Sequence, residues 1–129
     1  MHSGSCYCGA VRYEIRGDIG PAYFCHCSRC RKISGSAFSA NAVVQPADFV
    51  LTRGEASLKF TRSDAAVDRV FCSDCGSSLF VRQGNQMRLR LGTLDTPLPH
   101  GPDFHIFTES KANWYQICDQ FPQHPTVPD

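Results

Sequence analysis

The sequence predicts one domain, mostly β, built of short antiparallel strands, and three observations carry that reading. Apolar and polar residues alternate with period two, as in Val11, Tyr13 and Ile15 against Arg12, Glu14 and Arg16, which marks a strand with one packed and one wet face. The candidate strands are short and bounded by Gly, Pro, Ser or Asp, as antiparallel strands joined by turns require. Only two stretches read as helical turns.

In chain order, strands are expected at residues 11–15, 22–25, 37–44, 58–61, 67–71, 79–82, 87–91 and 104–107. The segment at 87–91 repeats the first pattern, with Met87, Leu89 and Leu91 against Arg88 and Arg90. A helical turn is expected at 28–33, where Ser28 offers a cap, and another at 110–117, where Trp114 and Ile117 stand three apart. The Pro-rich tail beyond Phe121 cannot continue a regular element and is expected to be extended or frayed.

Composition narrows the function classes. The 129 residues and 14.3 kDa fit a single domain, with a core at about 4–117 and a tail at 118–129. Thirteen Lys and Arg against twelve Asp and Glu leave a net charge of +1. That balance gives no electrostatic basis for a general nucleic-acid or membrane-surface binder. No stretch approaches a membrane span, and no basic segment followed by an apolar one opens the chain, so a cytoplasmic protein is expected.

The unusual feature is eight cysteines. Thiols stay reduced in the cytosol, so a cysteine-dense chain there points to metal rather than to disulfides. Seven of them fall in three groups: Cys6 and Cys8, then Cys25, Cys27 and Cys30, then Cys72 and Cys75. Residues two apart in an extended segment face the same way, so a CxC presents two sulfurs to one side, and a CxxC does so around a tight turn. Cys8 and Cys75 are each followed by Gly, which lets backbone N–H groups turn in toward sulfur. Cys6, Cys8, Cys72 and Cys75 are the candidate closed four-thiolate zinc site, a structural arrangement.

Cys25, Cys27 and Cys30 supply three ligands and leave a fourth position open, the mark of a catalytic zinc. Spacing alone leaves this partition unsettled, because Cys118 or His26 could close the second site. His26 points away from its flanking sulfurs in an extended CHC, and Cys118 reads as a small buried hydrophobe. Three thiolates leave a bound Zn²⁺ with net charge −1, a poor Lewis acid that suits soft ligands. The fitting chemistry is activation of a substrate thiol as thiolate. Arg29, Arg31 and Lys32 flank the site, either to compensate thiolate charge, to dock a carboxylate, or as a plain solvated turn.

The segments GSCYCGAVRYEI, CHCSRCRKISGS, RVFCSDCGSSLF and HIFTESKANW, in that order, resemble the glutathione-dependent formaldehyde-activating enzyme family, which includes the centromere protein V relatives. The resemblance spans residues 4 to about 117. It implies a β-tent fold of short antiparallel sheets, a structural zinc on Cys6, Cys8, Cys72 and Cys75, and a catalytic zinc on Cys25, Cys27 and Cys30. It also implies a carbon–sulfur lyase or ligase activity that adds glutathione to formaldehyde to give S-hydroxymethylglutathione. On that reading Arg29, Arg31, Lys111 and Trp114 are candidate contacts for the thiol, although an indole also serves core packing. His26 and His105 are candidate proton handlers, because imidazole titrates near neutrality. The alternative is a zinc-stabilised binding module without catalysis. A chromatin-type role by analogy with the centromere relatives is opposed by the near-neutral charge.

Overall fold

In the computed structural model, which describes residues 1–64 and 66–128, ten strands and one α-helix follow one another along the chain. They are His2–Ser5 (β1), Arg12–Ile15 (β2), Ala22–Cys25 (β3), Ser28–Ser34 (α1), Ser39–Val44 (β4), Phe49–Arg53 (β5), Leu58–Asp64 (β6), Val67–Cys72 (β7), Ser78–Gln83 (β8), Gln86–Arg90 (β9) and Phe104–Ile106 (β10). The fold is mostly β, as its alternating pattern predicts. Three strands form one sheet in the order β1-β2-β5, and seven form the other in the order β10-β3-β4-β9-β8-β7-β6. Neighbours run antiparallel except β10 and β3, which are parallel.

Register assigns the faces of the large sheet. Ala22 lies opposite Ala42, Ala42 opposite Leu89, Leu89 opposite Phe80 and Phe80 opposite Val70. These residues are buried with Tyr13 and Ile15 of the small sheet in one apolar core, the packing of two sheets face to face. One residue along each strand the other face begins. Tyr23 pairs with Asn41 and Asn41 with Arg90; Arg88 pairs with Val81 and Val81 with Arg69. That second face carries three arginines.

Several elements differ from expectation. β1 and β5 were not expected: β1 is His-Ser-Gly-Ser, with no apolar alternation, and β5 opens with three apolar residues in a row. Pairing with β2 makes both into strands. Helix α1 is capped by Cys27, not Ser28: the Cys27 sulfur accepts the Cys30 N–H at 3.3 Å, and Gly35 closes the other end at φ 64°. No α-helix forms at 110–117; a single 3-10 turn at Thr108–Ser110 reaches only its first residue. There the Lys111 ammonium donates to the Ala112 and Tyr115 carbonyls, and Trp114 stands 68% exposed rather than in the core. The tail is extended and hydrogen-bonded along β10 rather than frayed. No helix among the described residues is long and apolar enough to cross a membrane.

Candidate metal centres and their pocket

Two groups of sulfurs emerge from this fold. Cys6 and Cys8 follow β1, and Cys72 and Cys75 bracket the turn after β7, so pairing of distant strands brings two local turns face to face. Their four sulfurs lie within 4.8 Å of one another. The Cys6–Cys8 contact is 3.6 Å and the Cys8–Cys72 contact 3.9 Å. The two turns are built alike. Gly9 N–H donates to the Cys6 carbonyl at 3.1 Å, and Gly76 N–H to the Cys72 carbonyl at 2.7 Å. Both glycines have left-handed backbones, φ 79° and 81°, which side-chain-bearing residues adopt at a cost. Val11 N–H then donates to the Cys6 sulfur at 3.3 Å.

The acid–base chemistry of the four is uneven. Hydrogen bonds from the Ser77 hydroxyl and N–H bring the Cys75 thiol down to about 5. Burial works against ionising Cys6, yet the Val11 N–H and the Cys8 and Cys72 sulfurs hold it below the ordinary thiol value. The Ala10 N–H favours the Cys8 thiolate, but burial and the adjoining sulfurs push that thiol up to about 12. Crowded sulfurs cannot all ionise without a cation between them. A bound dication would resolve this, and the all-sulfur donor set within 4.8 Å fits a soft tetrahedral ion such as zinc.

Cys25, Cys27 and Cys30 form the second group, again with sulfurs within 4.8 Å. Cys25 ends β3, Cys27 caps α1 and Cys30 lies in its first turn. Sulfur hydrogen bonds from Cys25 and Cys30, aided by the Cys30 N–H, draw the Cys27 thiol far down. The same contacts push Cys25 up. Neither Cys118 nor His26 is among the residues whose ligand atoms cluster here. Cys118 is exposed, contrary to the buried position expected of it.

The three sulfurs line a cavity of about 590 Å³, within the range of small-ligand sites. Arg29 of α1 lines it, as do Arg69, Arg88 and Arg90 from the polar face of the large sheet. No Asp or Glu is among the described residues lining it. Arg90 is 8% exposed and donates to Asn41 Oδ1 at 2.7 Å and to Ser78 Oγ at 3.1 Å, both neutral partners. Burial lowers its pKa, and the Cys30 and Cys25 sulfurs act the other way. A desolvated guanidinium gains most from an anionic neighbour.

The other candidates lie elsewhere. Arg31, Lys111 and Trp114 do not line the cavity. The Arg31 Nε is buried without a hydrogen-bond partner. His26 and His105 are fully buried and do not line the cavity either. Sequence reasoning missed Arg69, Arg88 and Arg90 as pocket residues. The available signal was the alternation of Arg88 and Arg90 with apolar residues, which announces a polar face but not what covers it.

The sequence pattern described as "Glutathione-dependent formaldehyde-activating enzyme" matches residues 1–110. The chain belongs to that family. A Halomonas elongata protein that bears the enzyme's name provisionally is 31% identical over 124 residues, covering 88% of this chain and 79% of its own. Relatives from Phaeosphaeria nodorum and Penicillium rubens, named in the same provisional way, are 33% and 39% identical over 114 and 80 residues. The chain spans 55% and 41% of their lengths. A crystal structure of a Rhodobacter sphaeroides protein shares the fold, with TM-score 0.64 and 23% identity over 75% of this chain and 91% of that one. In this member of the formaldehyde-activating family both cysteine groups are assembled and compatible with zinc.

Proposed function

We propose that this chain is a zinc-dependent carbon–sulfur enzyme that adds a small anionic thiol, glutathione above all, to formaldehyde. The observation that carries the reading is the cavity itself, lined by three clustered sulfurs and four arginines with no acidic residue in the described lining. Membership of the formaldehyde-activating family, and the name its relatives bear, point the same way. Zinc on Cys25, Cys27 and Cys30 would supply an open position that lowers the pKa of an incoming thiol. Zinc on Cys6, Cys8, Cys72 and Cys75 would fasten the two sheets.

The chain's own residues then have definable work. Arg90, held by Asn41 and Ser78, and Arg88 and Arg69 beside it present donors to the carboxylates of the thiol. Anchored there, the thiol sulfur faces the cysteine group while the aldehyde carbon meets it from the open side of the cavity. The carbon–sulfur bond forms as the carbonyl π bond opens. The thiol's proton leaves to solvent, and the new alkoxide takes one back to give S-hydroxymethylglutathione. Formaldehyde adds thiols readily, so proximity and orientation suffice without a dedicated general base. The burial of His26 and His105 fits that economy.

The deciding experiment is exchange NMR of glutathione, formaldehyde and their adduct at equilibrium, with wild-type protein and with Cys30→Ser. Faster exchange with wild type that is absent in Cys30→Ser supports the enzyme. No acceleration by protein carrying two zinc ions per chain favours the binding-module reading.

A further inference from the structure

Strand β10 has a neighbour on each side. One edge pairs with β3, which ends in Cys25. Along the other runs the tail: His105 N–H donates to the Pro122 carbonyl at 2.8 Å, His124 N–H to the His105 carbonyl at 3.0 Å, and Phe107 N–H to the Thr126 carbonyl at 2.8 Å. Two side chains reinforce the docking. Thr108 Oγ1 donates to the His124 carbonyl at 3.0 Å, and the Asp119 carboxylate accepts from His105 Nε2 at 3.0 Å.

The sequence of the tail suits this course. Pro122, Pro125 and Pro128 recur every third residue, which restricts the unfolded chain and reduces the entropy lost on docking. Proline offers carbonyls but no N–H. The Pro122 and Pro125 carbonyls accept from His105 and Glu109, and the outer edge carries fewer bare donors for another strand to pair with. This route delivers Val127 and Pro128 to the cavity that holds Cys25, Cys27 and Cys30. The family pattern stops at residue 110, so this part of the wall comes from a segment outside it.

We propose that the tail is a size-selecting wall of the three-cysteine cavity, with Val127 and Pro128 setting how bulky a molecule can reach the sulfurs. A β-branched side chain and a ring of fixed φ make a wall that yields little. Backbone bonds to β10 and the residues after it hold the tail as far as Thr126, directly before Val127, which is 56% exposed, and Asp119 latches its base to a buried residue of the same strand. Its bearing on substrate choice rests on the thiol reading above. Access to the sulfurs does not depend on that reading.

The test measures alkylation of Cys25, Cys27 and Cys30, mapped by peptide mass spectrometry on the full chain as purified, with iodoacetamide and with a pyrene maleimide. Val127→Gly should raise the bulky-to-small rate ratio at least about tenfold, the low end of what one methylene is worth in a pocket, and Val127→Trp should lower it. Pro128→Gly, a second variant at the same wall, should act like Val127→Gly, as should Asp119→Ala by releasing the latch. A ratio that is the same in wild type and in the two Val127 variants overturns the proposal. Glutathione protection, measured on the same samples, separates the two readings. If glutathione fails to protect wild type while the ratios shift, the thiol chemistry falls and the wall stands.

Discussion

His26 Nε2 lies 2.8 Å from His105 Nδ1, and both imidazoles are fully buried. The Asp119 carboxylate, 3.0 Å from His105 Nε2, can only accept, so His105 Nε2 carries a proton; with His105 neutral, its Nδ1 is an acceptor for the His26 Nε2–H. Burial, then the neighbouring His105 and Lys111, holds His26 down to about 4, so it stays neutral near pH 7. The pair is a strut behind the cysteine loop, tying β10 to the residue between Cys25 and Cys27. His105→Ala should cost about 3 kcal/mol in urea unfolding, because it leaves a buried donor unpaired and opens a cavity. Asp119→Ala, removing a partly exposed partner, should cost about 1 kcal/mol. Equal losses in the two variants would show that the buried His–His contact adds nothing.

The two cysteine groups should fail differently. Cys8 and Cys72 are 64 residues apart, so their shared ion would close a long loop between sheets. Binding free energy at such a site, on the order of 10 kcal/mol, is folding free energy. Cys75→Ser should give insoluble or molten protein by near-UV circular dichroism. Cys25, Cys27 and Cys30 close no long loop. Cys30→Ser should stay folded while metal analysis falls from two zinc ions per chain to one.

Charge in the cavity should be visible without any substrate. Iodoacetate is anionic and iodoacetamide neutral, so their relative rates at Cys25, Cys27 and Cys30 report the field of Arg69, Arg88 and Arg90. Arg90→Met should lower the iodoacetate preference about tenfold, the worth of one desolvated charge-assisted bond. An unchanged ratio would mean that the arginine field does not reach the sulfurs.

Gly4 and Tyr13 are opposite one another in the β1–β2 pairing. A Cβ at Gly4 would be driven into the Tyr13 ring and the Thr93 carbonyl. Gly4→Ala should cost about 3 kcal/mol by thermal or urea unfolding, the upper range for overpacking. A loss within error of zero would show that β1 can lift off the sheet.

The Tyr13 hydroxyl donates to Thr93 Oγ1 at 2.7 Å, since Thr93 already donates to the Arg90 carbonyl at 2.9 Å. Burial chiefly, and the Asp95 charge, push Tyr13 up to about 12, with the Thr93 bond opposing. Folded above unfolded is the sign for stability that is complete below the unfolded value near 10 and lost as pH rises toward 12. Tyr13→Phe should lose about 1 kcal/mol at pH 7 and show a shallower decline above pH 10. The decline should persist in part, because burial also pushes Tyr23 up to about 12.

The sequence by itself determined what depends on a few neighbouring residues. The alternation around Tyr13 and Leu89 locates strands, because side chains change face every residue. The CxC, CxxC and CxCxxC spacings name the sulfurs that can share an ion, and glycines after Cys8 and Cys75 foretell the turns at φ 79° and 81°. The fold class and both cysteine groups were legible for that reason. Only the tertiary structure decided which distant pieces meet. Alternation shows that Arg88 and Arg90 share a polar face; pairing of β9 with β8 and β8 with β7 puts Arg69 beside them and turns that face into a cavity instead of a solvated surface. In the same way, His26 finds His105 and Val127 finds the cysteine pocket across separations that no short pattern encodes. Register between strands far apart in the chain is set by the packing of the whole core, and a residue's partner there is not written beside it.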